Sequence, residues 1–332
     1  MKTFRTVAIP LCIVAIMAIA MAFAFGAHAP SAGAAAGGAE VFHGNVLRPR
    51  PAAGKAPYAV TSSNMTYHGG PVSTVPAVYI SWWGSQWNTG FSTGGYSSAK
   101  AQTYITGFFG NVGGSSWHRI DTQYCQGVPV GTVNCGSSGQ HITNPTGILK
   151  GAWVDTTSVP TSPTQTAIFN AAARLVNHFG YSANAIYLVF TPTGHSMSGF
   201  GTQWCAWHDN ASNNSHNIAY GYIPYMPNAG ASCGMNFVNS TNNSYGNGYF
   251  DGFSIVAGHE FMEAETDMHP ETSVAWQGPG GGSDENADKC AWNQNGGTSK
   301  NITLGSNFYA VQPIWSNNST TSGGSHCVTS HA

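Results

Sequence analysis

Charge is what this sequence has least of. Lys+Arg number 11 and Asp+Glu 13 in 332 residues, so charged residues make up 7%, where roughly 25% is ordinary for a soluble domain. A surface so poor in Lys and Glu must be built from Ser, Thr, Asn, Gln and Gly. The formal net charge of −2 leaves no basic excess to neutralise phosphates, which excludes a nucleic-acid binder. There is no heptad array, no acidic tail and no internal repeat. No C-x-x-C pair is present to build a structural zinc site. The Gly-rich run Gly278–Gly282 lacks the Lys of a phosphate cradle.

What is present points to a packed, exported chain. Hydrophobic residues at 42% suffice for a sizeable core, and aromatics at 12% argue against disorder. Lys2 and Arg5 precede an apolar stretch from Val7 to Phe25, and small residues follow at Ala27, Ala29 and Ala32 to Ala39. That is the layout of a secretory signal peptide, the alternative being an uncleaved membrane anchor. Residues 1–29 are read as the signal peptide, with cleavage falling as late as about residue 39. Residues 30–57 are read as an Ala/Gly/Pro-rich linker and 58–332 as one domain. Cys12 lies in the leader. Six cysteines remain, an even number that reads as disulfides in an exported chain. Of fifteen possible pairings, nearest neighbours are simplest: Cys125–Cys135, Cys205–Cys233 and Cys290–Cys327.

Strands are expected at Ala77–Trp83, Trp117–Tyr124, Leu149–Val154 and Ala185–Phe190, with a one-sided strand at Ile218–Tyr225. Helices are expected over Ser97–Phe109, stopped by Gly110; over Thr164–Phe179, stopped by Gly180; and over Gly252–Asp267. The tail from Gly278 reads as loop-rich, and Asn210–Ser215 as a surface loop. Strands and helices interleave without strict βαβ repetition, so the fold class is α+β (mixed α/β).

The chemistry is concentrated in one place. Nine of the 13 acidic residues lie between Asp251 and Asp288, with no Lys or Arg inside that window. Clustered carboxylates repel unless a cation or bound protons compensate. Within the run Gly258-His259-Glu260-Phe261-Met262-Glu263, His259 and Glu263 stand four apart, on one face of a helix, as two metal ligands require. Glu260 stands where the general base stands in H-E-x-x-H metalloproteases, although here the second His is Glu263. Phe253–Ala257 is apolar, so the helix is expected to be buried and its charges paired or metal-bound. Asp288 is the candidate third ligand, followed by Glu285, His208 and Asp267. The cofactor is a divalent cation, zinc first and calcium as the alternative. Trp82, Trp83, Trp87 and Trp117 are read as core, with sugar stacking as the alternative.

Several ordered segments resemble the EXORDIUM-like, or phosphate-induced, proteins. They are Tyr67–Pro71 leading to Tyr79–Trp83, Ala185–Phe190, Trp204–His208 with Ala219–Pro224, Asp251–Asp267, and Glu285–Trp292. The resemblance implies an extracellular, cell-wall-associated protein with a signal peptide and carries no established enzymatic activity. Relatives often continue from Thr-Asp straight into Pro, whereas Met268-His269 intervene here. By fold-level analogy alone, the element order is zincin-like. Two functions follow. One is a metallopeptidase-like hydrolase with Glu260 as catalytic base. The other is a non-catalytic secreted binding or signalling protein with a structural cation. The partner would be a peptide or cell-wall glycan, with no nucleic acid and no membrane once the signal is cleaved.

Overall fold

A computed structural model describes residue 1 and residues 45–52, 60–213 and 215–331. The signal peptide and most of the linker lie outside the described residues.

One mixed sheet contains six strands: β1 (Asn45–Leu47), β2 (Ala77–Trp83), β3 (Leu149–Asp155), β4 (Ala185–Phe190), β5 (Ala206–Ser212) and β6 (Asn217–Ile223). Their order is β1-β5-β6-β4-β2-β3. The four strands β3, β2, β4 and β6 are parallel; β5 runs against β6, and β1 against β5. Every residue of β4 is buried. Its unbroken apolar run suits a parallel strand covered on both faces.

Three helices do the covering: α1 (Ser98–Val112), α2 (Gln165–Phe179) and α3 (Asp251–Thr266). Thr164 caps α2 by accepting from the Ala167 N–H at 3.2 Å. Its stripe of Ile168, Ala171, Ala172, Leu175 and Val176 packs with Tyr187, Val189, Tyr220 and Tyr222 on one sheet face. On the other face, Phe108 and Phe109 of α1 and Val256 and Phe261 of α3 meet Val78, Ile80, Ile186 and Leu188. A C-terminal hairpin, β7 (Lys300–Leu304) and β8 (Asn307–Val311), lies against α3, where Ser254 Oγ donates to the Ala310 carbonyl at 2.7 Å.

The structure departs from the sequence reading at five places. Helix α1 runs through Gly110 to Val112, because Phe108, Phe109 and Val112 are buried while Gly110 lies on the exposed side. Residues His118–Gln123 form a helical turn rather than a strand. Trp117, Ile120 and Tyr124 are buried at helical spacing. Strand β6 is buried on both faces, since Tyr220 and Tyr222 bury their rings while their hydroxyls meet Asp209 and Thr191 at 3.2 Å each. Asn210–Ser212 belong to β5, and Asn210 is buried, donating to Asn217 Oδ1 at 2.9 Å. Within the stretch read as linker, Asn45–Leu47 is an edge strand of the sheet.

The nearest-neighbour cysteines are bonded: Cys125–Cys135, Cys205–Cys233 and Cys290–Cys327. The second pins the start of β5 to the loop before α3. Gly252 on α3 lies so close to that loop that a Cβ would sit 2.3 Å from the Cys233 carbonyl oxygen. A Cys205→Ala/Cys233→Ala variant frees a loop closed over 28 residues. We expect it to lose about 2–4 kcal/mol of stability in denaturant melts; an unchanged midpoint would show that this bond does not brace the fold.

Candidate metal centre

Helix α3 carries the acidic run, and all sixteen of its residues are buried. The nine acidic residues have distinct roles. Asp251 accepts the Gly248, Val238 and Asn239 N–H groups at 2.9, 3.0 and 2.7 Å, closing the helix N-terminus. Asp284 is paired with Lys289 at 2.9 Å, so the basic residue adjoining the acidic window is committed elsewhere. Glu271 is exposed. Asp267 accepts from the Ala275 N–H at 3.0 Å and from Gln277 at 3.4 Å, just past the helix end.

Four carboxylates and two imidazoles then converge. Glu260, Glu263 and His259 come from α3, His208 from β5, and Glu285 and Asp288 from the loop ahead of Cys290. Glu263 presents one oxygen to each histidine: Oε1 is 3.0 Å from His259 Nε2 and Oε2 is 3.5 Å from His208 Nδ1. His208 Nδ1 is also 3.2 Å from Glu260 Oε2, and its Nε2 is 3.6 Å from Glu285 Oε2. Asp288 Oδ1 is 3.6 Å from His259 Nε2. Two triads share Glu263, namely His208–Glu263–Glu285 and His259–Glu260–Glu263, each with ligand atoms within 4.8 Å of one another. Asp267 belongs to neither. A third constellation, Cys125–Cys135–His141, is closed by the disulfide and offers no thiolate.

The inward atoms make no hydrogen bond within the protein. His208 Nε2, His259 Nε2, Glu260 Oε1, Glu263 Oε2, both Glu285 oxygens and Asp288 Oδ2 are buried with no hydrogen bond. Buried polar groups are otherwise almost always paired, so such a set suits a cation. Burial, then repulsion from neighbouring carboxylates, pushes Glu260, Glu285 and Asp288 well above the usual range; burial does the same to Glu263. Burial pushes His208 down to about 3 and lowers His259. Neutral imidazoles are the form that ligates a metal.

The supporting residues were not legible in the sequence. Gln312, just past β8, donates through Nε2 to the Ala287 carbonyl at 2.8 Å, which turns its Oε1 to His259 Nδ1 at 3.1 Å. His259 therefore carries its proton on Nδ1 and aims the Nε2 lone pair at the cluster. A second buried group lies beside α3. His118 Nε2 meets both Glu265 oxygens at 2.9 Å, and Asn286 donates to Asp121 at 2.9 Å, anchoring the residue next to Glu285. No spacing rule marks Gln312, His118, Asp121 or Asn286. Glu265 was visible only as one acid among nine.

Comparison with family models, curated proteins and solved structures gave no match to this chain.

Two outcomes are expected. Gln312→Leu should weaken zinc binding about 10- to 100-fold in competition titrations, as loss of a ligand's orienting partner does; unchanged affinity would remove Gln312 from the centre. The second concerns pH. Burial pushes Asp267 up to about 8, and the cluster carboxylates move the same way, so the cation-free folded state holds protons the unfolded chain has released. That stability is complete below the ordinary carboxylate range and is lost as pH rises towards 8. His208 acts in the opposite sense, but only below about 6.5, where the unfolded imidazole protonates. The Tm of cation-free protein should therefore fall between about pH 6.5 and 8.5, and zinc should reverse the slope because binding needs ionised carboxylates. A Tm that rises with pH without any cation would contradict this.

Proposed function

We propose that this protein is a secreted, metal-dependent hydrolase of the EXORDIUM-like type, acting on peptide bonds. The observation that carries the reading is the convergence of His259, Glu260 and Glu263, on a wholly buried helix, with His208, Glu285 and Asp288, their inward atoms unpartnered. Two imidazoles among carboxylates favour zinc over calcium, which takes oxygen ligands. Glu263, shared by the two triads, would hold the ion with His259 on one side or with His208 and Glu285 on the other, Asp288 lying beside His259. A cation there supplies Lewis acidity, polarising a carbonyl and acidifying a water. Glu260, with Oε1 unpartnered, takes the proton of the attacking water and passes it to the leaving nitrogen. Gln312 holds the His259 tautomer, and the Asp288 backbone N–H, donating to Glu263 Oε1 at 2.8 Å, fixes that carboxylate.

Three further observations support the reading. The antiparallel strand β5 beside the His-Glu helix suits the zincin-like analogy. Three disulfides suit an oxidising, extracellular setting. The segments that resemble EXORDIUM-like proteins, Trp204–His208, Asp251–Asp267 and Glu285–Trp292, contain all six residues.

One observation favours the non-catalytic reading: His259, Glu260, Glu263 and Glu285 are 0% exposed, as a structural cation site would be. Trp82, Trp83, Trp87 and Trp117 are also buried, which removes them as a glycan-stacking platform. Glu260→Gln separates the two readings. Hydrolysis of a peptide library should drop by about 10²- to 10⁴-fold while zinc content and Tm hold. Undiminished hydrolysis would eliminate Glu260 as the base.

A further inference from the structure

One short segment, Asn45–Arg50, adjoins the centre. β1 pairs antiparallel with β5, placing Asn45 opposite His208, Val46 opposite Trp207 and Leu47 opposite Ala206. The Leu47 backbone N–H is hydrogen-bonded to the Glu260 carboxylate, and the Arg48 charge acts on Asp288. Val46, Leu47 and Arg48 form one wall of a narrow cleft, whose other lining includes Asp288, Ala291 and Trp292. Asp288, 7% exposed, is where that cleft meets the cluster.

The segment is held mostly by its backbone. The Leu47 carbonyl accepts from the Cys205 N–H at 2.8 Å, the Arg48 carbonyl from Trp292 Nε1 at 2.8 Å, and the Arg50 N–H donates to the Ser232 carbonyl at 2.7 Å. Such contacts are indifferent to side-chain identity, as in recognition by strand addition. The side-chain fit is mixed. Leu47 is a buried anchor, 1% exposed. Asn45 occupies space that only a glycine leaves open, for a Cβ at Gly282 would stand 2.2 Å from Asn45 Oδ1, yet Asn45 Nδ2 is buried with no partner. Trp292, which grips Arg48, sits at φ 52, a backbone conformation unfavourable for a bulky residue.

We infer that Asn45–Arg50 is an internal occupant of a peptide-binding edge on β5, and that the site's substrate is an extended peptide laid antiparallel to β5 in its place. The segment lies where a substrate backbone must lie to pass Glu260, His208 and Asp288. It covers the centre until it is displaced. This rests on the reading of the cluster as a catalytic metal centre.

The test uses the full chain, with residues 53–59 replaced by a recognition sequence for a site-specific protease and cut after folding and zinc loading. Cutting makes an internal contact bimolecular and removes an effective concentration of order millimolar. The N-terminal fragment should then leave on gel filtration at micromolar protein, with a change in Trp292 fluorescence. Zinc loss to a chelator should quicken about tenfold or more once the strand no longer covers the ligands. A synthetic peptide of residues 42–52 should restore slow zinc loss, and unrelated extended peptides should compete with it. The uncut Leu47→Pro chain, which lacks the N–H to Glu260, should also lose zinc faster with unchanged circular dichroism. The inference is overturned if the fragment stays bound, if its departure unfolds the domain, or if it leaves without altering zinc loss. If the uncut chain binds no zinc, the metal-centre reading fails by itself; release and rebinding of the fragment, followed by mass and fluorescence, still decide whether the edge binds peptide.

Discussion

Four carboxylates, Glu260, Glu263, Glu285 and Asp288, are buried against two neutral imidazoles, and the structure around them depends on how that charge is balanced. Burying one unpaired carboxylate is costly, and burying four together is more so unless protons or a cation compensate. The protein has not spread the cost. It commits Lys289 to Asp284, gives Asp251 the N–H groups of Gly248, Val238 and Asn239 in the loop before α3, and gives His118 to Glu265. The remaining four have inward oxygens that no protein donor meets. A divalent cation is the simplest ligand that satisfies imidazole nitrogens and carboxylate oxygens together.

The scaffold serves that arrangement. The sheet is covered by α2 on one face, so α3 can be buried whole on the other. The Cys205–Cys233 disulfide holds the start of β5 near His208, and Cys290–Cys327 ties down the loop that delivers Glu285 and Asp288. The C-terminal hairpin brings Gln312 to the far side of His259. Elements distant in sequence thus supply ligands, orientation and closure around one helix.

Local patterns made part of this legible from sequence alone. A helical period places His259 and Glu263 on one face whatever the fold, and the apolar run Phe253–Ala257 marks that helix as buried. Continuous apolar runs marked β2 and β4, and cysteine spacing suggested the three disulfides. Features that depend on chain pairing were not legible. His208 reaches Glu260 only because β5 turns back against β6, and nothing in Trp204–His208 declares that register. Gln312 depends on where the hairpin docks. The turn at His118–Gln123 looked like a strand because the large residues Trp117 and Tyr124 flank it with Ile120 between them, and β1 looked like linker because three residues carry too little pattern to read.

The central claim is that a cation resides among these side chains, and anomalous X-ray diffraction from crystals grown with zinc tests it most directly. The expected result is a peak at the zinc edge roughly 2.0–2.2 Å from His259 Nε2 and a Glu263 oxygen, lost in a His259→Ala/Glu263→Ala crystal. An empty cluster at saturating zinc, with Glu263 and Glu285 bridged by short hydrogen bonds to each other or to water, would show that shared protons balance the charge and would contradict the account.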